Sequence, residues 1–481
     1  MMKNFLYPIL SMFLIFTACS DDDDNIQGNE NMAEFTVTIE NVVQPKPIFQ
    51  SGVFNTPVSA DEPAPLFPGD AYEFEIDAGP VVLPNDGGTR LSFVTMFVQS
   101  NDLFFAPNEE GISLYGDDNE PIGANGPEDV TDQVLIWDSG TEVNEITGGP
   151  NQKPQQEADA EDQGEDEDGV VTQITANEDA AGNFIPDANE VIKVTIENTA
   201  DAKFRVRIEN VSTSTTIPTP ALGDGTTAAV PVSPGVYAVH TMAAPFFVEG
   251  EAAANAGLAA SAEGVEDIAE DGFPMALAQD TEAATGLIVP LSPGAWALHD
   301  QGTRPLYQIN EPDFAEGLEG IAEDGTPMTL VSALNSKDGV TMAAAFNTPV
   351  GASSPGPITP GNSYQFTFTA SEGQNLSLAT MFIQSNDWFY AFKPEGIALF
   401  ENGTAISGDK TSQVFLYDVG TEIDEYPGAG LFQVIRQPSL NSGPDDSNSN
   451  VRLVDPANQN NVQPAQEIIR INIQSSSIGT N

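Results

Sequence analysis

The chain of 481 residues has little of the side-chain chemistry on which many proteins rely: one Cys, two His and 15 Lys plus Arg in all. A single Cys excludes a disulfide scaffold. With only His240 and His299 beside it, there is no ligand set for a zinc ribbon, a Cys-His nucleophile or haem attachment. The scarcity of basic residues is as informative, because 72 Asp and Glu stand against them and the formal net charge is −57. Nucleic-acid binding needs a basic face to displace counterions, and electrostatic docking on an anionic membrane needs basic residues as well, so both are excluded. The sequence also lacks a Gly-x-Ser-x-Gly elbow, a phosphate loop and EF-hand spacing. What it has in quantity is 42 Gly, 36 Pro and a 40% hydrophobic fraction. That is enough apolar material for real cores, and the length suits two or three domains of roughly 150 residues each.

The amino terminus reads as an address. Lys3 supplies a short positive region, and the apolar run 5–16 is too short for a bilayer span of ~20 residues. It ends in Phe16-Thr17-Ala18-Cys19, followed by Ser20 and four Asp. Small residues before a sole Cys at the end of a signal core resemble a bacterial lipobox. This implies a signal peptide over 1–18 and lipidation at Cys19. The acidic tether 19–33 resembles the signals that send some Gram-negative lipoproteins to the cell surface, so the expected location is the outer membrane, facing outward. The lipid would be the only membrane anchor.

Behind the tether the chain repeats itself. Leu-Ser-Phe-Val-Thr-Met-Phe-Val-Gln-Ser-Asn-Asp at 91–102 returns as Leu-Ser-Leu-Ala-Thr-Met-Phe-Ile-Gln-Ser-Asn-Asp at 376–387. Phe-Asn-Thr-Pro-Val at 54–58 recurs at 346–350, and Val-Leu-Ile-Trp-Asp-Ser-Gly-Thr-Glu at 134–142 recurs as Val-Phe-Leu-Tyr-Asp-Val-Gly-Thr-Glu at 414–422. Such self-similarity marks a duplicated domain. The expected copies are 34–198 and 203–474, each opening on an alternating strand followed by Glu-Asn-Val. Within the second lies an insertion, 219–340, itself doubled: Ser-Pro-Gly-Val-Tyr-Ala-Val-His at 233–240 and Ser-Pro-Gly-Ala-Trp-Ala-Leu-His at 292–299, with Ala-Glu-Asp-Gly at 269–272 and again at 322–325. Ala, Leu and Glu-rich stretches there predict short helices. The first copy carries instead an acidic stretch, 157–168, expected to be a solvated loop.

Period-two runs such as Tyr-Glu-Phe-Glu-Ile at 72–76, separated by Pro-Gly, Asp-Gly and Asn-Gly turns, predict an all-β fold of antiparallel sandwiches with helix only in the insertion.

These motifs resemble the spondin N-terminal domain family. Ser-Asn-Asp-Trp-Phe at 385–389 is similar to its Ser-Pro-Asp-Trp-Phe-like strand end, and Tyr-Asp-Val-Gly-Thr-Glu at 417–422 to its Trp-Asp-Ala-Gly-Thr-Asp-like segment. The Ser-Pro-Gly strands and Gly-Leu-Glu-Gly-Ile-Ala-Glu-Asp-Gly at 317–325 look like its middle region. The likeness covers most of 203–474 and part of 34–198, where Leu103 replaces Trp. It implies C2-like β-sandwiches, a bound calcium ion, a role in extracellular adhesion and no catalysis.

Calcium needs six to eight oxygen ligands, and carboxylates on neighbouring loops at one sandwich end can supply them. The candidates are Asp387, Asp418, Glu422 and Asp424, matched in the first copy by Asp102, Asp138 and Glu142, with Asn144 opposite Asp424. The family pattern has Asp where Glu142 and Glu422 stand. An Asp-x-Gly-Thr turn capped by its own Asp is the alternative reading of the same residues. His240 and His299 follow apolar strands as structural residues. Trp137, Trp296 and Trp388 suit sheet packing better than sugar stacking. The expected function is a calcium-dependent binding or adhesion protein whose partner is an extracellular protein or glycan. The alternatives are a glycan-acting hydrolase using paired carboxylates and a structural surface spacer.

Overall fold

A computed structural model of the chain describes residues 31–44, 46, 48–79, 89–116, 120–156, 161–241, 244–253, 264–434, 436–454 and 462–478. The signal region, Cys19 and all but the end of the tether lie outside the described residues. The longer strands and those beside the site run, in order, β1 (Met32–Asn41), β2 (Ile48–Phe54), β3 (Ala71–Asp77), β4 (Arg90–Phe97), β5 (Leu103–Pro107) and β6 (Val134–Asp138). Then come β7 (Thr172–Gln173), β8 (Ile192–Ala200), β9 (Lys203–Asn210), β10 (Val232–His240), β11 (Leu291–Asp300) and β12 (Val340–Phe346). The last are β13 (Ser363–Ser371), β14 (Gln374–Phe382), β15 (Trp388–Ala391), β16 (Phe415–Asp418), β17 (Arg452–Leu453) and β18 (Ile469–Ser477). Two helix pairs interrupt them: α1 (Glu266–Glu270) with α2 (Met275–Ala283), and α3 (Leu318–Ala322) with α4 (Met328–Leu334). The fold is all-β, as the alternating runs require.

The strands form two sandwiches of the same design. In the first, a sheet ordered β2-β10-β4-β5-β6-β7 faces a sheet ordered β3-β9-β8. In the second, β12-β11-β14-β15-β16-β17 faces β13-β1-β18. Between the first pair, Phe93, Phe97, Tyr237 and Val239 meet Ile76, Val194, Ile196, Val206 and Ile208. The second core is equivalent, with Trp296, Leu376 and Leu378 against Phe35, Val37, Ile471 and Ile473.

Each large sheet is also covered on its other face. Ile268, Ala269 and Leu277 from α1 and α2 lie on Val94, Phe104, Trp137 and Ala238. Leu318, Ile321, Leu330 and Leu334 from α3 and α4 lie on Ala297, Ala379, Phe389 and Tyr417. Strand β4 therefore has neither face in water: it is buried without alternation from Leu91 to Phe97, with Ser92 and Thr95 as the polar residues among its apolar ones.

The pairing departs from the expectation of two contiguous copies at 34–198 and 203–474. Strand β1 is seated in the second sandwich, in register with β13 from Met32↔Ser371 to Glu40↔Ser363 and with β18 on its other side. Strand β9 belongs to the first, between β3 and β8. The reason is local. Ala200 pairs with Lys203, so only Asp201 and Ala202 join β8 to β9, and a two-residue turn commits them to one antiparallel hairpin. The doubled insertion is likewise shared out. β10 with α1 and α2 serves the first sandwich, and β11 with α3 and α4 serves the second. Each sandwich thus takes one copy of the doubled insertion. The first is built from 48–286 and lies between β1 and β11 of the second; its strand order is that of the second with the two leading strands moved to the end. The two chain crossings lie side by side, where Lys46 Nζ donates to Ala283 O at 2.6 Å.

Candidate metal centre

The same turn is built at one end of each sandwich. Ser100 Oγ donates to Phe97 O at 2.6 Å and accepts from Leu103 N at 3.1 Å; Ser385 does the same with Phe382 O and Trp388 N at 2.7 and 3.0 Å. These bonds fold the link between β4 and β5, and between β14 and β15, so that Asp102 and Asp387 stand at the start of the second strand. Cross-strand pairing then sets their neighbours. Leu103 is opposite Asp138, and Trp388 is opposite Asp418.

After each of these acids the chain turns at a glycine. Gly140 has φ +70° and Gly420 φ +78°, and a Cβ on either would lie under 3.0 Å from the backbone of Val170 or Asn450, so only glycine fits. The turn is held by the acids. Gly140 N donates to Asp138 Oδ1 at 2.9 Å and Gly420 N to Asp418 Oδ1 at 2.6 Å. Asp102 Oδ2 accepts from Ser139 Oγ (2.9 Å), Thr141 N (3.0 Å) and Glu142 N (3.3 Å). Asp387 Oδ2 accepts from Thr421 N (3.0 Å) and Glu422 N (3.1 Å). The turn reading therefore describes one oxygen of each carboxylate. The other oxygens separate it from a plain turn: Asp102 Oδ1 and Asp387 Oδ1 are buried and meet no hydrogen-bond donor.

Of the seven metal candidates, the structure gathers Asp387, Asp418 and Asp424, which offer oxygens within 4.8 Å of one another. Asp102 and Asp138 lie side by side in the same way, and Asn144 Nδ2 donates to Asp138 Oδ2 at 2.8 Å where Asp424 stands in the other copy. Glu142 and Glu422 reach elsewhere. Their longer arms accept from Gly164 N and Gly443 N, both at 2.6 Å. Glu142 instead joins a separate group with Asp162 and Glu270, again within 4.8 Å. The acidic stretch expected to be a solvated loop thus contributes at its described end, through Gly164 and Asp162.

Sequence reasoning missed Glu270 and Glu323, the Glu of each Ala-Glu-Asp-Gly repeat, at the ends of α1 and α3. Glu270 faces Thr141, Glu142 and Asp102; Glu323 faces Glu422 and Asp387. Both Glu323 oxygens are buried without a bonded donor, with Thr421 facing the group outside bonding geometry. The doubling of the motif was the available signal. Arg452 was missed too. Its Nη2 contacts Asp418 Oδ2, lies 2.7 Å from Asp446 Oδ2 and 3.7 Å from Asp424 Oδ2.

Burial dominates the electrostatics of these acids. It pushes the carboxyls of Asp102 and Asp387 well above the usual carboxylate range, with Asp138 and Asp424 respectively adding repulsion. Asp418 is raised by burial and by Asp387 and Asp424, with Arg452 opposing. Glu270 is pushed up to about 9 and Glu323 to about 8, again mainly by burial and then by neighbouring acids. Near neutral pH such groups take up protons or a cation.

His240 Nε2 meets Ser92 Oγ at 2.8 Å and His299 Nε2 meets Ser377 Oγ at 2.9 Å, both buried inside the large sheets. Trp137 and Trp388 are core residues; Trp388 Nε1 donates to Asp424 Oδ1 at 2.7 Å. Trp296 stacks on Phe366 and Phe368. No protein-family model matches the chain, and no curated protein is similar to it.

Proposed function

We propose that the protein is a lipid-anchored protein of the bacterial cell envelope whose spondin-like sandwiches hold calcium at their loop ends and bind an extracellular partner without catalysis. One observation carries the cation: in both sandwiches a fully buried Asp, 102 or 387, uses one oxygen to fold the turn and leaves the other without a donor. A buried carboxylate oxygen with no partner is costly, and a hard cation satisfies it. Asp138 Oδ2 and the Asn144 amide, which presents its oxygen by turning over, are the adjoining ligands in the first sandwich; carbonyls and water complete the shell. Glu270 and Glu323 bring the helical layer to the same place, so an ion there would tie both loops and helices to the sheet. The lipid at Cys19, outside the described residues, supplies the anchor. No described helix is long and apolar enough to cross a membrane.

Glu270 and Glu323 have the raised pKa of a glycosidase acid. At 5% and 1% exposure they offer no face to a sugar ring, which favours the binding reading. The test is calcium titration of the full chain followed by thermal melting. Calcium should raise the melting temperature and a chelator reverse it, while Asp102→Asn abolishes the response of the first sandwich. A melt indifferent to calcium in wild type ends the proposal.

A further inference from the structure

The two loop ends are built alike but neutralised differently. Register fixes the correspondence. Asp138 pairs with Thr172 across β6 and β7, and Asp418 pairs with Arg452 across β16 and β17. Arg452 therefore occupies, in the second sandwich, the place of a neutral threonine in the first. A second exchange accompanies it, since Asp424 stands where the first has Asn144. The two substitutions cancel in charge: Asn and Thr carry none, Asp and Arg carry one of each sign.

We infer that Arg452 is the resident cation of the second sandwich, so that a divalent ion binds only at Asp102 and Asp138 in the first. The inference rests on the calcium reading given above and narrows it from both loop ends to the first alone, one ion per chain. The oxygen at issue is the second one of the strand-end acid. Asp138 Oδ2 accepts from the Asn144 amide, an uncharged donor that an ion can turn or displace. Asp418 Oδ2 is in contact with the Arg452 guanidinium, and Asp446 fixes that guanidinium from behind at 2.7 Å. Arg452 also donates from Nη1 to Asn448 O at 2.7 Å, so both arms of the fork are engaged. A charge-assisted pair whose acid is nearly buried is strong, and an ion entering there must break it.

The other charged groups do not restore the symmetry. In the first sandwich Lys153 Nζ lies 3.3 Å from Asp271 Oδ1, the residue after Glu270. In both sandwiches the remaining oxygen of the buried Asp is without a donor. In the first, that oxygen adjoins a carboxylate open to a cation. In the second it adjoins a carboxylate already paired.

The experiment counts calcium bound to the full chain by equilibrium dialysis, with terbium luminescence sensitised by Trp137 and Trp388 reporting which end is filled. Wild type should bind one calcium and Asp102→Asn none. Arg452→Gln should bind two, and adding Asp418→Asn should return the count to one. In case Arg452→Gln does not fold, Thr172→Arg with Asn144→Asp transfers the arginine arrangement to the first sandwich and should abolish binding. Two ions in wild type, or one in a folded Arg452→Gln, overturns the role of Arg452. None in wild type but one in Arg452→Gln upholds Arg452 and removes the calcium reading of the first sandwich. None in either removes both.

Discussion

In the first sandwich a pair of buried Asp is faced by Asn144 and Thr172; in the second the same pair is faced by Asp424 and Arg452. A third position changes with them. Leu103 has no hydrogen to donate, whereas Trp388 donates its indole N–H to Asp424. The scaffold beneath is conserved to the level of single bonds. Asn210 Nδ2 donates to Leu66 O and Val230 O, and Asn41 Nδ2 makes the equivalent bonds to Ile358 O and Val289 O. Duplication has thus preserved the turn that gathers the carboxylates while changing how their charge is met. The exchangeable cation proposed for the first sandwich and the Arg452 guanidinium of the second would be two solutions to one desolvation problem.

The largest expected effect separates the sandwiches by where the chain is cut. Residues 48–286 should melt cooperatively on their own. Residues 203–474, the unit suggested by reading the repeats in order, should not. They would carry β9 and β10 without the strands they pair with and would lack β1, the centre of the second small sheet. Circular dichroism melts of the two fragments decide this, and a cooperative 203–474 would break the comparison at its root.

Calcium should come next. An ion at one hundred times its dissociation constant adds about 2.7 kcal/mol. For a sandwich of this size that is a rise of roughly 5–10 °C, confined to the first sandwich. Calorimetry of the full chain should show one transition moving and one fixed.

pH gives a smaller contrast. The folded pKa values of Asp102 and Glu270 lie above their unfolded values. Their contribution is full below the unfolded values near pH 4 and is lost as pH rises through the folded ones. Chelated protein should therefore be less stable at pH 8 than at pH 5, and calcium should flatten that slope. A chelated melt that rises with pH over this window would contradict the assignment.

The smallest effect tests the symmetry of the scaffold. Ser100→Ala and Ser385→Ala each remove one turn hydroxyl and should cost about 1 kcal/mol apiece in urea unfolding, equally in the two sandwiches. A marked inequality would mean that the turns are not equivalent.

The sequence made the strands legible because alternation and turn residues act locally, and it made Asp102, Asp138, Asp387 and Asp418 legible because they recur in register. The exchange of β1 and β9 was hidden for a physical reason. Both read Phe-x-Val-x-Ile-Glu-Asn-Val and fit the same slot, so apolar pattern cannot assign them; only the two-residue turn at Asp201 and Ala202 does. Misplacing those strands also misplaced the insertion, and with it Glu270, which lies in the sequence far from the Asp102 it faces. Glu142 and Glu422 were grouped with the Asp because they follow the Gly-Thr turn in both copies and stand where the family pattern has Asp; their longer arms accept from Gly164 N and Gly443 N. Arg452 had no repeat signal at all, since its counterpart is a threonine.

A crystal structure determined with saturating calcium tests the central claim most directly. The expected result is an ion about 2.3–2.6 Å from Asp102 Oδ1 and Asp138 Oδ2, with Arg452 still against Asp418. Asp102 Oδ1 facing no metal under those conditions would contradict the account.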